Sequence, residues 1–534
     1  MLAVGLAFTA TGPAHAISSG IEQGQAQADG LVRDLQDELR RLGFYAGPVD
    51  GILGPMTNQA ISEVQLASGW PVDGLPSREL LDHLYSQQDK AQALLDHLED
   101  NRVEQIDDAR EVLAASEATQ DLLSPVLGGP FLDSVAEENC ANEPTTACLL
   151  DHAIAAAREM NDVERRSFAF LQIAEVQIAM GQVEAARQTL RRIRDPRYII
   201  SALDVLAMGL SNQGRYDEAL ELIDVVPIVR IKIAGLDAVA RAAHEAGEPA
   251  VVNRAVAEAR ATIESDEGAA INPWRLIEFS QMLHAVDRTD DAQAVLERAS
   301  AATLAVTEVE ARDRITPQIV TTLLMVDRLE TARQLTVAIR TPDHRALAEL
   351  ALVRYLVDHG DYASAHQVSA AIVPAEYRSL ALAASASGQD GTAARTILNE
   401  ALDAAREIPF KRRRDEAYSV IAQGQAAIGD SAAALESAEL IEDDALKAGT
   451  LFAMADDNAP LAFAARRALD DVNQAYRRSL LQLHLAVELA DAGDQNAADD
   501  SLDDAVASAF QVASDAERAL ALAHSAETLA AIHR

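Results

Sequence analysis

The segment Gly214-Arg215-Tyr216-Asp217-Glu218-Ala219-Leu220-Glu221-Leu222 decides the fold, because it is one copy of a turn that recurs along most of the chain. In each copy a long Ala- and Leu-rich segment ends at a small turn, and a second amphipathic segment with an early Ala follows. The turns begin at Gly181, Gly214, Gly247, Asp287, Asp327, Gly360, Gly388, Gly429 and Gly493, with a degenerate copy near Pro460. Successive spacings are 33, 33, 40, 40, 33, 28, 41, 31 and 33 residues. This period predicts stacked pairs of helices.

The Gly-x-x-x-x-Ala turn resembles that of tetratricopeptide repeats, although the aromatic signature of that family is mostly absent from the first helix of each pair. The resemblance implies a tetratricopeptide-like α-solenoid over residues 148–534. Each helix pair cannot bury its apolar face alone, so the pairs stack into one core with a concave surface, where a protein partner would lie. The Gly and Ala residues have packing roles, and we expect none of them to be catalytic.

The composition agrees with an all-α fold and excludes several kinds of partner. The chain has 534 residues, 49% of them apolar and only 4% aromatic, which favours Ala-rich helices over a β-sandwich or barrel. With 45 basic and 84 acidic residues, the formal net charge is −39. Since nucleic-acid affinity comes mainly from Lys and Arg, we expect no nucleic-acid partner. The same charge disfavours binding to anionic lipid.

Residues 26–86 differ from the repeats, because they are rich in turn residues and hold three short amphipathic segments. The first has Leu at positions 31, 35, 39 and 42, the second runs over 57–67, and the third over 76–85. The sequence Pro-Val-Asp-Gly precedes each of the last two, at Pro48–Gly51 and Pro71–Gly74. In such a turn the Asp oxygen caps backbone amides and the Gly takes a positive φ. The pattern predicts a three-helix domain.

This domain resembles the peptidoglycan-binding domain type 1 family. The residues that carry the resemblance are Leu35-Gln36, Leu39, Leu42-Gly43-Phe44-Tyr45, Gly47, Asp50-Gly51-Ile52-Leu53-Gly54, Thr57, Ala60, Val64-Gln65, Gly69 and Asp73-Gly74. The family usually has Phe at the position of Val64, and Gly and Thr where this chain has Leu75-Pro76-Ser77. The resemblance implies non-covalent binding of peptidoglycan, with ligand contacts at Tyr45, Asp50, Gly51, Gly54 and Thr57. For the last four, the alternative is a structural role in turn geometry and helix capping.

The N-terminus indicates export. An apolar run over 2–8 is followed by Ala14-His15-Ala16, a small-x-small cleavage site, so we assign residues 1–16 to a signal peptide. The positively charged segment that normally precedes the apolar run is missing, and the true start of the protein would then lie upstream. No later stretch is long and apolar enough for a membrane span. Residues 87–147 are assigned to a helical linker with a cysteine loop, in which 124–147 is the best linker candidate.

The chain has two cysteines, Cys140 and Cys148. In the cytosol they would be free thiols, but in an exported protein a lone, closely spaced pair predicts a disulfide. We expect the bridge to hold a cap on the exposed N-terminal end of the solenoid, where the first helix lacks a neighbour. Its effect should then stay within the first one or two helix pairs.

The sequence gives no catalytic site, no cofactor site and no metal site. It has no His-Glu-x-x-His, no Gly-x-Ser-x-Gly and no phosphate-binding Gly-rich loop with Lys. Its acidic residues are too numerous for one pair to be singled out. The basic run at 411–414 could dock an acidic partner, but pairing with neighbouring acidic helices is the preferred interpretation.

These observations predict an exported bacterial protein, most simply periplasmic, that is not an enzyme. It would bind peptidoglycan through its N-terminal domain and an unknown protein partner through its repeats. One alternative is a regulator or cryptic member of cell-wall hydrolysis. Another is an interaction protein in which the N-terminal domain is only structural.

Overall fold

The chain is described from a computed structural model that covers residues 31–41, ten positions between 49 and 84, and 106–126, 128 and 132. Beyond these it covers 134–265, 273–307, 309–389, 391–455, 459–472, 474–491 and 493–533. All regular structure in these ranges is helical, and none of their residues is in a β-strand. The predicted signal peptide at 1–16 lies outside the described residues.

We number the helices from residue 134 onward as α1 to α24. They are α1 Ser134–Asn142, α2 Thr146–Glu159, α3 Val163–Ala179, α4 Val183–Leu190, α5 Pro196–Ser201, α6 Leu203–Asn212, α7 Tyr216–Asp224, α8 Val229–Glu245, α9 Pro249–Ser265, α10 Pro273–Ala285, α11 Thr289–Ala305, α12 Val309–Met325, α13 Leu329–Ala338, α14 Pro342–Asp358, α15 Tyr362–Ala371, α16 Ala375–Ala386, α17 Gly391–Arg406, α18 Lys411–Ala427, α19 Ser431–Ala438, α20 Asp444–Ala453, α21 Ala459–Asp470, α22 Ala475–Asp491, α23 Gln495–Phe510 and α24 Asp515–Ile532. Sequential helices pack in pairs, such as α3 with α4 and α18 with α19, and this confirms the predicted helix-pair array.

The nine non-degenerate turns predicted from the sequence share one backbone conformation. Their first residues all have positive φ, from 75° to 82° at the seven Gly and 60° and 58° at Asp287 and Asp327. At the first turn the amide of Gln182 donates to the carbonyl of Gln177 at 2.7 Å, which satisfies an orphan carbonyl at the end of α3. Arg328 repeats this bond to Leu323 at 2.8 Å. Gly recurs here because the left-handed conformation costs it almost nothing.

The early Ala of each second helix is a packing residue, as predicted. Ala186, Ala219, Ala292, Ala332 and Ala365 are all 0% exposed. A side chain this small lets the two helices of a pair approach closely. At the Gly388 turn the buried Ala lies one position later than predicted, at residue 394.

The segment assigned to the linker packs against the first repeat. The Nη2 of Arg187 in α4 donates to Asp121 Oδ1 at 2.7 Å and to the Ala118 carbonyl at 3.0 Å. Arg191 Nε donates to the Ser124 carbonyl at 2.9 Å. The structure also places a helix, α1, within the stretch 124–147. These bonds hold residues 118–124 against α4.

The repeat array divides into two compact units, one of which spans Val252–Val472. The other joins Phe8–Val251 with Asn473–Arg534, so it contains the first and the last of the numbered helices. In that unit α24 packs along α2 and also against α3, α22 and α23. We call the surface between α24 and the pair α2–α3 the terminal interface.

The terminal interface corrects the expectation of an exposed N-terminal end. Five consecutive residues of α24, Ala519 to Ala523, are buried, although successive helical residues point about 100° apart. A helix buried in this way is covered on most of its sides. The first pair of the array therefore has a neighbour, and that neighbour comes from the other end of the chain.

Candidate functional site

The N-terminal domain has an apolar core built from the positions predicted to face inward. Residues 31–41 are helical, and Leu35 and Leu39 on this helix are 0% exposed. Positions on the second and third segments are buried with them: Ala60, Ile61, Val64, Leu80, Leu81 and Leu84. The spacing of the apolar residues thus correctly predicted which face of each segment is inside.

One predicted ligand contact, Thr57, lies in this core. It is 1% exposed, and its Oγ1 accepts a hydrogen bond of 3.0 Å from Nε2 of Gln36, which is itself fully buried. The bond links the first helix to the start of the second segment, and buried polar groups need such partners. This geometry gives Thr57 a structural role in the core, which differs from the turn geometry and helix capping stated as the alternative. Its ligand contact stays a prediction, and Tyr45, Asp50, Gly51 and Gly54 lie outside the described residues.

The predicted disulfide is present. Cys140 in α1 and Cys148 in α2 are bonded, with their Cα atoms 5.8 Å apart. The start of α2 is also capped, because the amide of Cys148 donates to Thr145 Oγ1 at 3.2 Å.

The basic run at 411–414 is paired within the protein, which confirms the preferred interpretation of this run. Arg413 bonds Glu376 of α16, with a closest distance of 2.6 Å, and its side chain is 6% exposed. The other three pair with nearby acids: Lys411 and Arg414 with Glu442, and Arg412 with Glu416.

Sequence reasoning missed a pair of interacting carboxyls, Glu175 and Asp204. Burial raises the pKa of Glu175 in α3 to about 8, and the nearby charge of Asp204 adds to the rise. Burial likewise raises the pKa of Asp204 in α6 to about 6, although Val205 and Arg230 oppose it. At neutral pH Glu175 therefore holds its proton, while Gln172 donates to it at 2.5 Å.

Separately from this pair, burial also raises the pKa of Asp237 in α8. It differs from Glu175 because the Nε of Arg241 donates to both of its oxygens at 2.9 and 2.8 Å. No signal in the sequence connects these acids, since each lies on a different helix and carboxylates are abundant throughout. Interacting carboxyls with raised pKa values occur in acid–base catalysis, but also in purely structural networks.

Two absences concern the described part of the chain. Among those residues no group of three or more His, Cys, Asp and Glu is arranged to hold a metal ion. None of the helices described there combines the length and the apolar character needed to cross a membrane.

Comparisons with known proteins identify the N-terminal domain. Residues 29–84 match the family described as "Putative peptidoglycan binding domain". No curated protein matches the chain. Among solved structures it is similar to a "Circular tandem repeat protein with novel repeat topology and enhanced subunit contact surfaces", at 14% identity and a TM-score of 0.18, over 91% of this chain and 99% of that one. At that score the likeness adds nothing to the helix packing described above.

Proposed function

We propose that the chain is an exported, non-catalytic adaptor of the bacterial cell wall, most simply in the periplasm. It would bind peptidoglycan through residues 26–86 and a protein partner through its repeats. The observation that carries the proposal is the family match at 29–84, over a segment whose apolar positions form a buried core. Since family members bind the wall without catalysis, the domain would act as a tether.

Within the tether, the proposed contacts are Tyr45, Asp50, Gly51, Gly54 and Thr57. Residues 29–84 have nine acidic residues and four Arg, a net charge of −5. Binding through hydrogen bonds and ring contacts survives salt, whereas attraction between exposed charges is screened over about 10 Å at 0.1 M salt. We therefore expect binding that changes little with ionic strength.

Sedimentation with insoluble peptidoglycan sacculi tests the tether. The full chain should pellet with sacculi between 50 and 500 mM NaCl, and a chain without residues 26–86 should stay in the supernatant. Asp50→Ala and Tyr45→Ala should weaken pelleting without changing the helical circular dichroism. If the full chain stays in solution at every salt concentration, the tether is refuted and the domain is only structural.

The proposed protein partner would lie on the repeats, where stacked pairs offer an extended surface. Cross-linking in cells, followed by purification of the chain, should recover one partner. Recovery should persist when residues 26–86 are deleted. A partner that is lost when residues 26–86 are deleted would instead bind to the N-terminal domain.

A catalytic alternative, a cryptic member of cell-wall hydrolysis, is favoured by one feature, the raised pKa of Glu175 beside Asp204. A carboxyl with its pKa near 8 can act as a general acid at neutral pH. We expect the pure chain to release no soluble fragments from sacculi, with or without zinc. Release by the wild type that Glu175→Gln abolishes would establish the alternative.

A further inference from the structure

The disulfide joins α1 and α2 into a hairpin, which we call the disulfide hairpin. This hairpin contacts helices from the two ends of the repeat array. Cys140 lies in α1, and α1 packs against both α2 and α23. Helices α2 and α23 are far apart in the sequence, yet both belong to the unit made of Phe8–Val251 and Asn473–Arg534. The hairpin therefore lies beside the terminal interface.

Helix α1 has little apolar anchorage apart from the disulfide. Among its residues with described exposure, only Cys140 is buried, at 3%. Val135, its largest aliphatic side chain in the first turn, is 60% exposed. A nine-residue helix of this kind is not stable without tertiary contacts. The bond to Cys148 therefore supplies much of what holds α1 in place.

The other half of the hairpin, α2, contacts α23 in addition to forming the terminal interface with α24. His152, one turn after Cys148 on the same face of α2, is 8% exposed. Its ring packs edge-on against Phe510 at the end of α23, with the ring centroids 5.2 Å apart. The disulfide and this contact lie on successive turns of one helix, and α24 packs along the same helix.

We propose that the Cys140–Cys148 disulfide is a redox-sensitive clamp on the terminal interface. A thiolate of a dithiol reductant attacks the sulfur of Cys148, which is the less buried of the two. The S–S bond breaks, the Cys140 thiolate leaves and takes up a proton, and a mixed disulfide forms at Cys148. The second thiol of the reductant then displaces Cys148 as a thiol, so two electrons pass to the protein and the reductant becomes a disulfide. Helix α1 loses its anchor, and α24 opens more often from α2.

Hydrogen exchange of the full chain, with and without dithiothreitol, tests the clamp. Amide exchange should accelerate about tenfold or more in residues 134–159 and also in 515–532, because local opening sets these rates. Helix α14, in the other unit, is the internal reference and should not change. Acceleration confined to 134–159, with 515–532 unaffected, would overturn the proposal.

The double variant Cys140→Ser with Cys148→Ser supplies the matched control. It should exchange like the reduced wild type, and dithiothreitol should change it no further. If dithiothreitol accelerates exchange of 515–532 in this variant, the effect does not pass through the disulfide and the proposal fails. If the variant does not fold, the native protein can be reduced in steps instead. The exchange rate of residues 515–532 should then rise in proportion to the number of free thiols measured by labelling.

Discussion

Replacing Arg413 by Met measures how strongly the basic run is bound within the protein. Nη1 of Arg413 donates to Glu376 Oε1 at 2.8 Å and to Oε2 at 2.6 Å, which ties α18 to α16. Its guanidinium also lies 5.6 Å from the centre of the Phe410 ring. Met keeps most of the apolar stem but removes the charge, so Glu376 is left without this partner.

The expected loss of stability follows from the burial of the two side chains. Breaking a buried ion pair costs about 3–5 kcal/mol, because the remaining charge is uncompensated. The Glu376 side chain is 21% exposed, so water partly resolvates it, and we expect the low end, about 3 kcal/mol. Adding Glu376→Met should recover most of that loss, since an apolar pair of similar size is often as stable as the buried ion pair.

Hydrogen exchange in α16 and α18 is the appropriate assay, because a long repeat array need not unfold in two states. Arg406→Met is the matched control: Arg406 is 57% exposed and pairs at 2.8 Å with Asp403 three residues earlier, so about 0.5 kcal/mol or less is expected. If Arg413→Met accelerates exchange no more than this control, the reasoning is wrong. The basic run would then be available to an acidic partner.

Three other changes test the turns and the buried acids. Gly214→Ala should destabilise its helix pair by about 1 kcal/mol, since φ is 75° and no neighbour lies within 4 Å of the added methyl. Gly391→Ala, equally unobstructed but without positive φ, should cost nothing, as measured by hydrogen exchange in each helix pair. Equal effects of the two substitutions would show that the positive φ is not the cause. Burial raises the pKa of Asp313, but hydrogen bonds from Thr341 and Arg340 have the larger effect, and the net pKa is below 3.8. The protein should therefore lose stability as the pH falls below 3.8. Asp313→Asn should reduce this loss when melting temperature is measured against pH. An unchanged loss at acid pH would contradict the role given to Asp313. The pKa of Glu175 is raised from 4.5 to about 8, so wild-type stability should fall as the pH rises between these values. Glu175→Gln should remove that fall, and a parallel profile for the variant would show that the carboxyl ionises normally.

The fold of each repeat could be predicted because its signals are local. A positive-φ residue followed by an early Ala defines the turn within one pair, and Asp replaces Gly at two of the nine positions. A second local signal was missed: a buried apolar residue is followed six positions later by a basic one. Arg345 Nε donates to the Ile339 carbonyl at 2.8 Å, and Arg166 donates to the Met160 carbonyl at 3.0 Å. In both cases the basic side chain caps the preceding helix.

The terminal interface could not be predicted in the same way. Helices α2 and α24 lie far apart in the sequence, and their contact depends on tertiary packing. Nothing within one period of sequence encodes a contact with so distant a helix. The neighbouring acids Glu175 and Asp204 escaped prediction for a related reason, since packing between different pairs decides which of the many carboxyls approach each other.

The packing of α24 on α2 has a consequence for biosynthesis. Repeat arrays ordinarily fold from contacts between neighbours and can begin at any point. Here α2 ends at Glu159 and α24 starts at Asp515, so their contacts have a very large sequence separation, and such contacts form slowly. During synthesis or translocation, an apolar surface of the first repeats therefore stays uncovered until α24 has emerged. A chaperone that holds incompletely folded chains would be needed during that interval. In a chain truncated before Asp515 the apolar surface would stay uncovered.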